Sequence, residues 1–175
     1  MSNKNQNIIL IGFMGSGKTT IGSLLAKRLH YQFQDTDEMI ESSVGNTIRQ
    51  IFDFQGEEYF RDLETNVLIA LKNQMQDTVL STGGGLILRE TNRKLLNELG
   101  FIIYLKASKE TLVQRLLGDT TRPLLRGEEL EDKVSRLLDS RASIYEETAH
   151  EIIDTDELSR EEIVDLIVKA YLSDE

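Results

Sequence analysis

Apolar residues along this chain alternate between short unbroken runs and longer stretches of helical spacing. Residues 7–11, 78–81 and 101–105 are rich in apolar side chains and too short to be helices, which is typical of buried strands. Residues 31–33 and 151–153 are predicted to form shorter, weaker strands. Because helical stretches separate these strands, the pattern predicts a parallel sheet with helices on both faces.

Between the strands, apolar residues recur three or four positions apart, which predicts amphipathic helices. Thr47 and Gln50 form a capping-box pattern that opens a short helix, and Gly100 closes the helix predicted at residues 90–99. Residues 35–37 directly follow the second strand and are predicted to be extended. The other helices are predicted at residues 18–29, 57–73, 90–99, 109–117 and 130–145, and a last one begins after Ser159.

Length and composition limit the function classes. The 175 residues suit one domain, predicted to span 1–175, and the apolar fraction of 39% is ordinary for a globular protein. The chain has no cysteine, which excludes disulfides, thiolate zinc sites and a cysteine nucleophile. A formal net charge of −10 argues against a binder of nucleic acid or of a membrane surface, since both need basic patches.

The first residues of the chain are polar, and the apolar run at 8–11 that follows them is short. A signal peptide or a membrane span needs a much longer apolar stretch. We therefore predict a cytoplasmic protein, and we expect it to be a monomer.

Gly12, Gly17, Lys18 and Thr19 occupy every fixed position of the phosphate-binding motif G-x-x-x-x-G-K-[ST], between a predicted strand and a predicted helix. Glycines let successive backbone N–H groups point into one cavity, and the following helix adds its positive N-terminal end. Lys18 then reaches the β- and γ-phosphates, and the Thr19 hydroxyl can bind Mg²⁺. The predicted ATP-binding residues of this P-loop are Gly15, Ser16, Gly17, Lys18, Thr19 and Thr20.

Asp35 and Asp37 lie two residues apart after the second strand, and in an extended segment such residues point to the same side. Two carboxylates would then face one site, where one holds Mg²⁺ through water and the other takes a proton from a substrate hydroxyl. The alternative is a solvated acidic turn, which is common in acidic proteins. The P-loop one helix upstream favours the site.

Arg141 shares the apolar face of its predicted helix, because it lies four residues after Leu137 and three before Ile144. An inward guanidinium must be paired, since burial of an unpaired charge costs much free energy. The spacing leaves two interpretations equally open: a structural ion pair with an internal carboxylate, or a clamp on a substrate carboxylate.

Arg61 lies four residues after Glu57 and three before Glu64. By itself this spacing favours a surface ladder of ion pairs along one helix. The other interpretation is that Glu64 orients Arg61 towards a ligand.

The polar segment of residues 118–127 is bounded by glycines and joins two predicted helices, which suits a mobile lid. Arg122 would close over the phosphates and stabilise transition-state charge, unless the segment is an ordinary loop with solvated arginines. A second glycine cluster, Gly83, Gly84 and Gly85, follows a strand, so we expect it at the same edge of the sheet as the P-loop.

These motifs stand in the order found in shikimate kinases, and the chain resembles that family over nearly its full length. No motif after the P-loop is specific alone, whereas the ordered set is. The resemblance implies an α/β, three-layer P-loop NTPase fold with a central five-stranded parallel sheet and a mobile lid. The motifs after the P-loop are Asp35-Thr-Asp37, Gly45-x-Thr-Ile-x-x-Ile-Phe52, Gly56-Glu57 with Phe60-Arg61 and Glu64, Thr82-Gly83-Gly84-Gly85, Arg122-Pro123-Leu124-Leu125, and Arg141 with Tyr145.

The resemblance also implies roles for the residues at matching positions. Arg61 and Arg141 would bind the carboxylate of shikimate, and Asp37 would bind its ring hydroxyls and act as the base. Gly84 would offer a backbone N–H to the substrate. The predicted substrate-binding residues are Asp37, Arg61, Gly83, Gly84, Gly85 and Arg141.

On the nucleotide side, the resemblance implies that Asp35 helps to hold Mg²⁺ through water and that Arg115 lies near the adenine. Arg122 would be the arginine of the lid and would bind ATP. The loop that contacts the adenine is expected near residues 153–156. The predicted catalytic residues are Lys18, Asp37 and Arg122, and the predicted metal-binding residues are Thr19 and Asp35.

The implied reaction is transfer of the γ-phosphoryl group of ATP to the 3-hydroxyl of shikimate, giving shikimate 3-phosphate and ADP with Mg²⁺ as cofactor. Two alternatives stay open on the residues alone. One is another small-molecule P-loop kinase such as a gluconate kinase, since gluconate is also a polyhydroxy carboxylate. The other is a nucleotide-binding module that turns over no small molecule. Asp-Thr-Asp with the triple glycine disfavours the first, and an inward arginine beside paired carboxylates disfavours the second.

Overall fold

A five-stranded, all-parallel sheet forms the centre of the structure, a computed structural model that describes residues 7–119, 121–123 and 129–174. The strand order is β2-β3-β1-β4-β5, so β1 lies in the middle. The strands are β1 (Asn7–Ile11), β2 (Gln32–Asp35), β3 (Thr78–Ser81), β4 (Phe101–Lys106) and β5 (Glu151–Asp154). The predicted fold class and the predicted number of strands are confirmed.

Eight helices flank the sheet within the described part of the chain. They lie on both faces, as the strand–helix alternation predicted. Their bounds are α1 (Lys18–Leu29), α2 (Thr36–Val44), α3 (Ile48–Gln55), α4 (Glu57–Leu71), α5 (Glu90–Leu99), α6 (Lys109–Leu116), α7 (Leu130–Thr148) and α8 (Arg160–Asp174). None of these helices has the length and apolar character needed to cross a membrane.

The central strand β1 is buried along its whole length and contributes to both sides of the core. Ile9 and Ile11 pack into an apolar cluster that includes residues of α4, α5 and α7. Ile8 and Leu10 pack into a second cluster with residues of α1 and α8. This two-sided burial explains why the strand is almost entirely apolar instead of alternating.

Helix capping follows the sequence closely at two places. Thr47 and Gln50 form the predicted capping box at the start of α3, with both reciprocal hydrogen bonds present. At α2, Asp35 is the N-cap, and its side chain accepts hydrogen bonds from the Asp37 and Glu38 amides at 2.9 and 3.3 Å. The extended conformation predicted for residues 35–37 is therefore wrong, because the Asp35 carboxylate starts a helix there.

Most other differences concern the ends of elements. β2 begins one residue later than predicted and runs to Asp35, and α7 continues to Thr148. A 3-10 turn at Leu86–Leu88 follows the triple glycine and was not predicted. Thr120 and residues 124–127 of the predicted lid lie outside the described residues.

The carboxyl ends of β1 and β3 lie side by side and carry the two glycine clusters. Thr82 joins them, since its amide and its hydroxyl both donate to the Leu10 carbonyl, at 3.2 and 2.9 Å. The P-loop and the triple glycine therefore share one edge of the sheet, where ligands bind in open parallel sheets.

At the opposite edge, the side chain of Asn7 is buried and ties three elements together. Its amide donates to the Leu99 carbonyl at 2.9 Å, where α5 ends, and to the Met75 carbonyl at 3.4 Å. Its carbonyl oxygen accepts from the Thr78 amide at 3.1 Å, where β3 begins. Removal of this side chain would leave buried backbone groups without partners.

We expect Asn7→Ala to lower the free energy of unfolding by about 2–4 kcal/mol, because several buried hydrogen bonds are lost at once. Urea unfolding followed by circular dichroism measures the change. The matched control is Asn97→Ala, since Asn97 is exposed and its side chain donates to the Arg93 carbonyl of its own helix at 3.2 Å. Equal losses in the two variants would contradict this account of the β1 end.

Candidate active site

The P-loop wraps around the start of α1 through left-handed backbone at two glycines. Gly15 has φ 80° and Gly17, the N-cap of α1, has φ 95°. Residues with a side chain rarely adopt such angles, so the motif requires glycine at these positions. The Ser16 amide donates to the Phe13 carbonyl at 3.1 Å and closes the turn. The helix N-terminus therefore faces the loop, an arrangement that favours anions.

Lys18 is only 8% exposed, and its ammonium donates to the Gly12 and Phe13 carbonyls at 2.8 and 2.9 Å. Burial lowers the pKa of Lys18 from 10.5 to about 8, and the positive charge of Arg122 acts in the same direction. The ammonium thus lies inside the loop, bound to neutral carbonyl oxygens and not to a carboxylate, among the described residues.

Thr19 and Asp35 meet beside the P-loop, where the Thr19 hydroxyl donates to Asp35 Oδ2 at 3.1 Å. A hydroxyl and a carboxylate are the hard oxygen donors that Mg²⁺ prefers. The described residues contain no cluster of three or more His, Cys, Asp or Glu that would hold a metal by itself. The pair fits an ion whose remaining ligands come from phosphates and water.

The P-loop borders a cavity of about 580 Å³, called here the P-loop cavity. All six predicted ATP-binding residues of the P-loop line its wall. Arg115 lines it too and donates to the Gly15 carbonyl at 3.1 Å. Thr155, Leu158 and Arg160 line the other side. Of residues 153–156, where the loop that contacts the adenine was expected, Thr155 lies on the wall of this cavity. The wall continues from there to the start of α8.

A second cavity of about 420 Å³, called here the arginine cavity, lies between α2, α3, α4 and α7. Asp37, Arg61, Arg141 and the triple glycine line it, so the structure brings together all six predicted substrate-binding residues. The remaining lining residues are Met14, Glu38, Glu41, Thr47, Ile48, Arg49, Phe52, Phe60, Glu64, Thr121, Arg122 and Pro123.

The two cavities meet at a shared wall. Asp37 lies on this wall, with its Oδ1 buried and without a hydrogen-bond partner among the described residues. Burial, and next the neighbouring charge of Asp35, raise the pKa of Asp37. A carboxylate oxygen is therefore open to a ligand that spans the two cavities. The shared residues are Met14, Asp37, Glu38, Gly83, Gly84 and Arg122.

Arg61 is buried and held by two carboxylates of its own helix. Its guanidinium donates to Glu64 Oε2 at 2.7 Å and to Glu57 Oε1 at 3.1 Å. Arg61 is 5% exposed and Glu64 is fully buried, so the surface ladder favoured by the spacing is wrong. Glu64 instead orients a buried guanidinium at the cavity wall. Burial raises the pKa of Glu64 to about 7, although the charge of Arg61 opposes this shift.

Arg141 is 2% exposed, which confirms the inward face predicted from helical spacing. Unlike Arg61, it forms no ion pair with a carboxylate among the described residues, and its Nη1 has no hydrogen-bond partner there. A buried charge without a partner is costly. Of the two interpretations left open by the spacing, the internal ion pair is therefore not found in the described part of the chain.

The triple glycine leaves room for the charged groups around it. A methyl group at Gly83 would lie 2.9 Å from both Asp37 Oδ1 and Glu64 Oε1, and one at Gly85 would lie 2.6 Å from Arg61 Nη1. At Gly84 the close neighbour is the P-loop backbone, with Met14 N at 3.2 Å. Side chains at these positions would collide with the groups that line the two cavities.

Two residues that sequence reasoning did not assign to the site hold this glycine segment. The Thr36 hydroxyl accepts from the Gly83 amide at 3.0 Å, and the buried Tyr145 hydroxyl donates to the Gly84 carbonyl. From the sequence, Tyr145 is named only in the motif that it forms with Arg141. A buried tyrosine needs a partner for its hydroxyl, and this is the signal that could have pointed to a contact with the site.

Arg122, the predicted lid arginine, lines both cavities. Its Nε lies 3.3 Å from Asp119 Oδ2, and Asp119 also accepts from the Thr121 amide at 2.8 Å. Asp119 therefore anchors the described part of the segment and directs Arg122 towards the shared wall.

A family model described as shikimate kinase matches residues 14–172 of the chain. A shikimate kinase of Thermodesulfovibrio yellowstonii is 44% identical over 166 residues, which cover 95% of each chain. A shikimate kinase of Caldicellulosiruptor bescii is 42% identical over 170 residues, covering 97% of this chain and 98% of that protein.

A comparison with solved structures also finds a shikimate kinase. The structure of a shikimate kinase from Acinetobacter baumannii in complex with shikimate superposes with a TM-score of 0.92 at 41% identity, covering 97% of this chain and 94% of that one. A gluconokinase from Sinorhizobium meliloti superposes with a TM-score of 0.56 at 17% identity, covering 95% of this chain and 91% of that one. The second likeness concerns the fold alone.

The raised pKa of Glu64 makes a prediction about stability and pH. Because the folded carboxyl has a pKa of about 7 against an ordinary 4.5, the folded state binds its proton more tightly than the unfolded state. The stability that this proton contributes is fully present below pH 4.5 and is lost as the pH rises to about 7. We therefore compare the free energies of unfolding of wild type and Glu64→Gln. We expect the difference, wild type minus variant, to fall by at most about 3 kcal/mol as the pH rises over this range.

Urea unfolding of both proteins at several pH values measures this difference. Glu58→Gln is the matched control, since Glu58 belongs to the same helix but is exposed. A difference between wild type and Glu64→Gln that stays constant from pH 4.5 to 7.5 would contradict the prediction.

Proposed function

Since the chain belongs to the shikimate kinase family, we propose that it transfers the γ-phosphoryl group of ATP to the 3-hydroxyl of shikimate where its two cavities meet. ATP-dependent phosphorylation of shikimate is its activity. The proposal concerns the hydroxyl that reacts and the residues that act on it. The observation that carries the proposed site is the shared wall, which joins a phosphate-binding loop to a cavity with two buried arginines.

Arg61 and Arg141 recognise the carboxylate of the substrate from two helices. Both guanidiniums are buried at the arginine cavity, where a carboxylate replaces lost hydration with charge-assisted hydrogen bonds. Glu64 already neutralises part of the charge of Arg61. Arg141 therefore supplies the larger share of uncompensated positive charge to the carboxylate.

Asp37 lies between this carboxylate site and the P-loop, and its free Oδ1 accepts a hydrogen bond from the reacting hydroxyl. The hydroxyl oxygen attacks the γ-phosphorus, and the bond from that phosphorus to the β–γ bridging oxygen breaks. ADP leaves with the electron pair, and Asp37 takes the hydroxyl proton.

Lys18 and Arg122 stabilise the charge that develops on the phosphoryl group. Lys18 lies inside the P-loop and Arg122 on the shared wall, so positive charge surrounds the transferred group on two sides. Most of the rate acceleration then comes from positioning and charge, as in other phosphoryl transfers.

The metal proposed for the P-loop cavity is Mg²⁺ bound with the nucleotide, which the use of ATP implies. Thr19 and Asp35 would hold it, directly or through water, since their oxygens already lie 3.1 Å apart. When bound, the ion neutralises phosphate charge. The cytoplasmic location and the monomeric state stay predictions.

The alternatives of gluconate as acceptor and of a module without turnover are not favoured by the family of this chain. ADP release in a coupled assay with Mg²⁺ and ATP tests the proposal, with shikimate, gluconate or no acceptor at equal concentration. We expect release to depend on shikimate. Faster release with gluconate, or release that shikimate does not change, would overturn it.

The base assignment predicts that Asp37→Asn lowers kcat by about 10²- to 10⁴-fold, because the amide cannot take the hydroxyl proton. The dissociation constant for ATP should change little, since Asp37 is not part of the P-loop. Steady-state kinetics and calorimetry measure the two quantities.

Two variants serve as controls for Asp37→Asn. Lys18→Met should instead weaken nucleotide binding itself, and Asp165→Asn should have no effect, since Asp165 forms an exposed ion pair with Arg28. A kcat near that of wild type in Asp37→Asn would mean that another group accepts the proton.

A further inference from the structure

The two arginines of the arginine cavity are stabilised in different ways. Arg61 is bound by Glu64 at 2.7 Å and Glu57 at 3.1 Å. Arg141 forms no ion pair within the described residues, and its guanidinium carbon instead lies 5.8 Å from the centre of the Phe13 ring, over its face. Arg61 also lies over a ring, 5.3 Å from the centre of Phe60. The difference is that Arg61 has carboxylate partners as well, whereas among the described residues Arg141 has none.

Phe13 occupies a position of the P-loop motif at which the motif requires no particular residue. Its side chain is 1% exposed and belongs to the apolar cluster that also contains Tyr145 and Leu116. Its carbonyl oxygen accepts a hydrogen bond from Lys18 at 2.9 Å. The same residue therefore contacts the phosphate-binding lysine through its backbone and Arg141 through its ring.

The difference between a carboxylate and a ring matters for the charge that reaches a ligand. A carboxylate partner would stabilise Arg141 by cancelling its charge and occupying its hydrogen-bond donors. The negative face of an aromatic ring attracts a guanidinium while leaving its charge and its donors available. The free Nη1 of Arg141 is consistent with this second arrangement.

We propose that Phe13 is a positioning residue, whose ring holds the buried Arg141 guanidinium in place so that it binds the carboxylate of the substrate. The proposal rests on the proposed function, in which Arg141 binds that carboxylate. It assigns to a variable position of the P-loop a role in the affinity for the acid substrate, separate from phosphate binding.

Fluorinated phenylalanines at position 13 test the ring face directly, because fluorine weakens the negative face of the ring with little change in shape. We expect the KM for shikimate to rise stepwise from Phe through mono-, di- and trifluorophenylalanine, reaching about three- to tenfold. The KM for ATP and kcat should stay within about twofold, since fluorine weakens the attraction between the Phe13 ring and Arg141 and does not alter the contacts to the phosphates.

Phe13→Leu provides a second, simpler variant that keeps an apolar core side chain and removes the ring. We expect the same rise in the KM for shikimate. The matched control is Phe101→Leu, since Phe101 lies at the amino end of β4, where its ring stacks on His150 and contacts Tyr171. Phe101→Leu should leave the KM for shikimate unchanged.

The methyl ester of shikimate separates positioning of Arg141 from a general distortion of the cavity. Because the ester has no charge for Arg141 to bind, its affinity as a competing ligand should be equal in wild type and in the fluorinated proteins. A KM for shikimate that is unchanged by fluorination, or an equal loss of affinity for acid and ester, would overturn the proposal.

These outcomes also distinguish failure of the proposed function from failure of the proposed role of Phe13. If wild type does not phosphorylate shikimate, the proposed function fails, and the role of Phe13 falls with it. If wild type phosphorylates shikimate and the fluorinated series keeps its KM, only the role of Phe13 is wrong.

Discussion

Burial of charged side chains at one edge of a parallel sheet is the constraint on which the rest of this structure depends. Lys18, Arg61, Glu64 and Arg141 are each less than a tenth exposed, although charges taken out of water cost much free energy unless they are paired. Glu64 pairs with Arg61, while Lys18 is bound to carbonyl oxygens and Arg141 lies over a ring. Of these four, the two without a carboxylate partner among the described residues, Lys18 and Arg141, are positive, and the substrates are a carboxylate and a polyphosphate.

The backbone makes this crowding possible. β1 and β3 are neighbours, and their carboxyl ends carry the P-loop and the triple glycine. Without side chains, residues 83–85 approach the P-loop backbone on one side and the buried carboxylates and Arg61 on the other. The Thr36 and Tyr145 hydroxyls then fix this segment, which forms part of the wall that the two cavities share.

Local patterns predicted the parts of this arrangement that depend on neighbours in sequence. The apolar runs predicted all five strands, and helical spacing placed Arg141 inside. The start of α2 was missed, because Asp35 can be read either as the end of a strand or as a helix cap, and only the bonds to the following amides decide.

Contacts between distant segments could not be predicted in this way. The spacing of Arg61 and Glu64 is the same on a surface helix and on a buried one, so their burial depends on how α4 packs against the sheet. The contact between Phe13 and Arg141 joins residues far apart in sequence, and neither the P-loop motif nor helical periodicity constrains it. The P-loop motif predicts the roles of Lys18 and Thr19, and the family resemblance implies those of the other site residues. All of these roles stay predictions.

The central claim is that the carboxylate site and Asp37 together place one hydroxyl of shikimate against the P-loop. The position of the phosphate in the product tests this claim most directly, and phosphorus–proton correlation NMR of the isolated product measures it. We expect a single product with the phosphate on the 3-hydroxyl. A mixture of regioisomers, or phosphate on another hydroxyl, would contradict it.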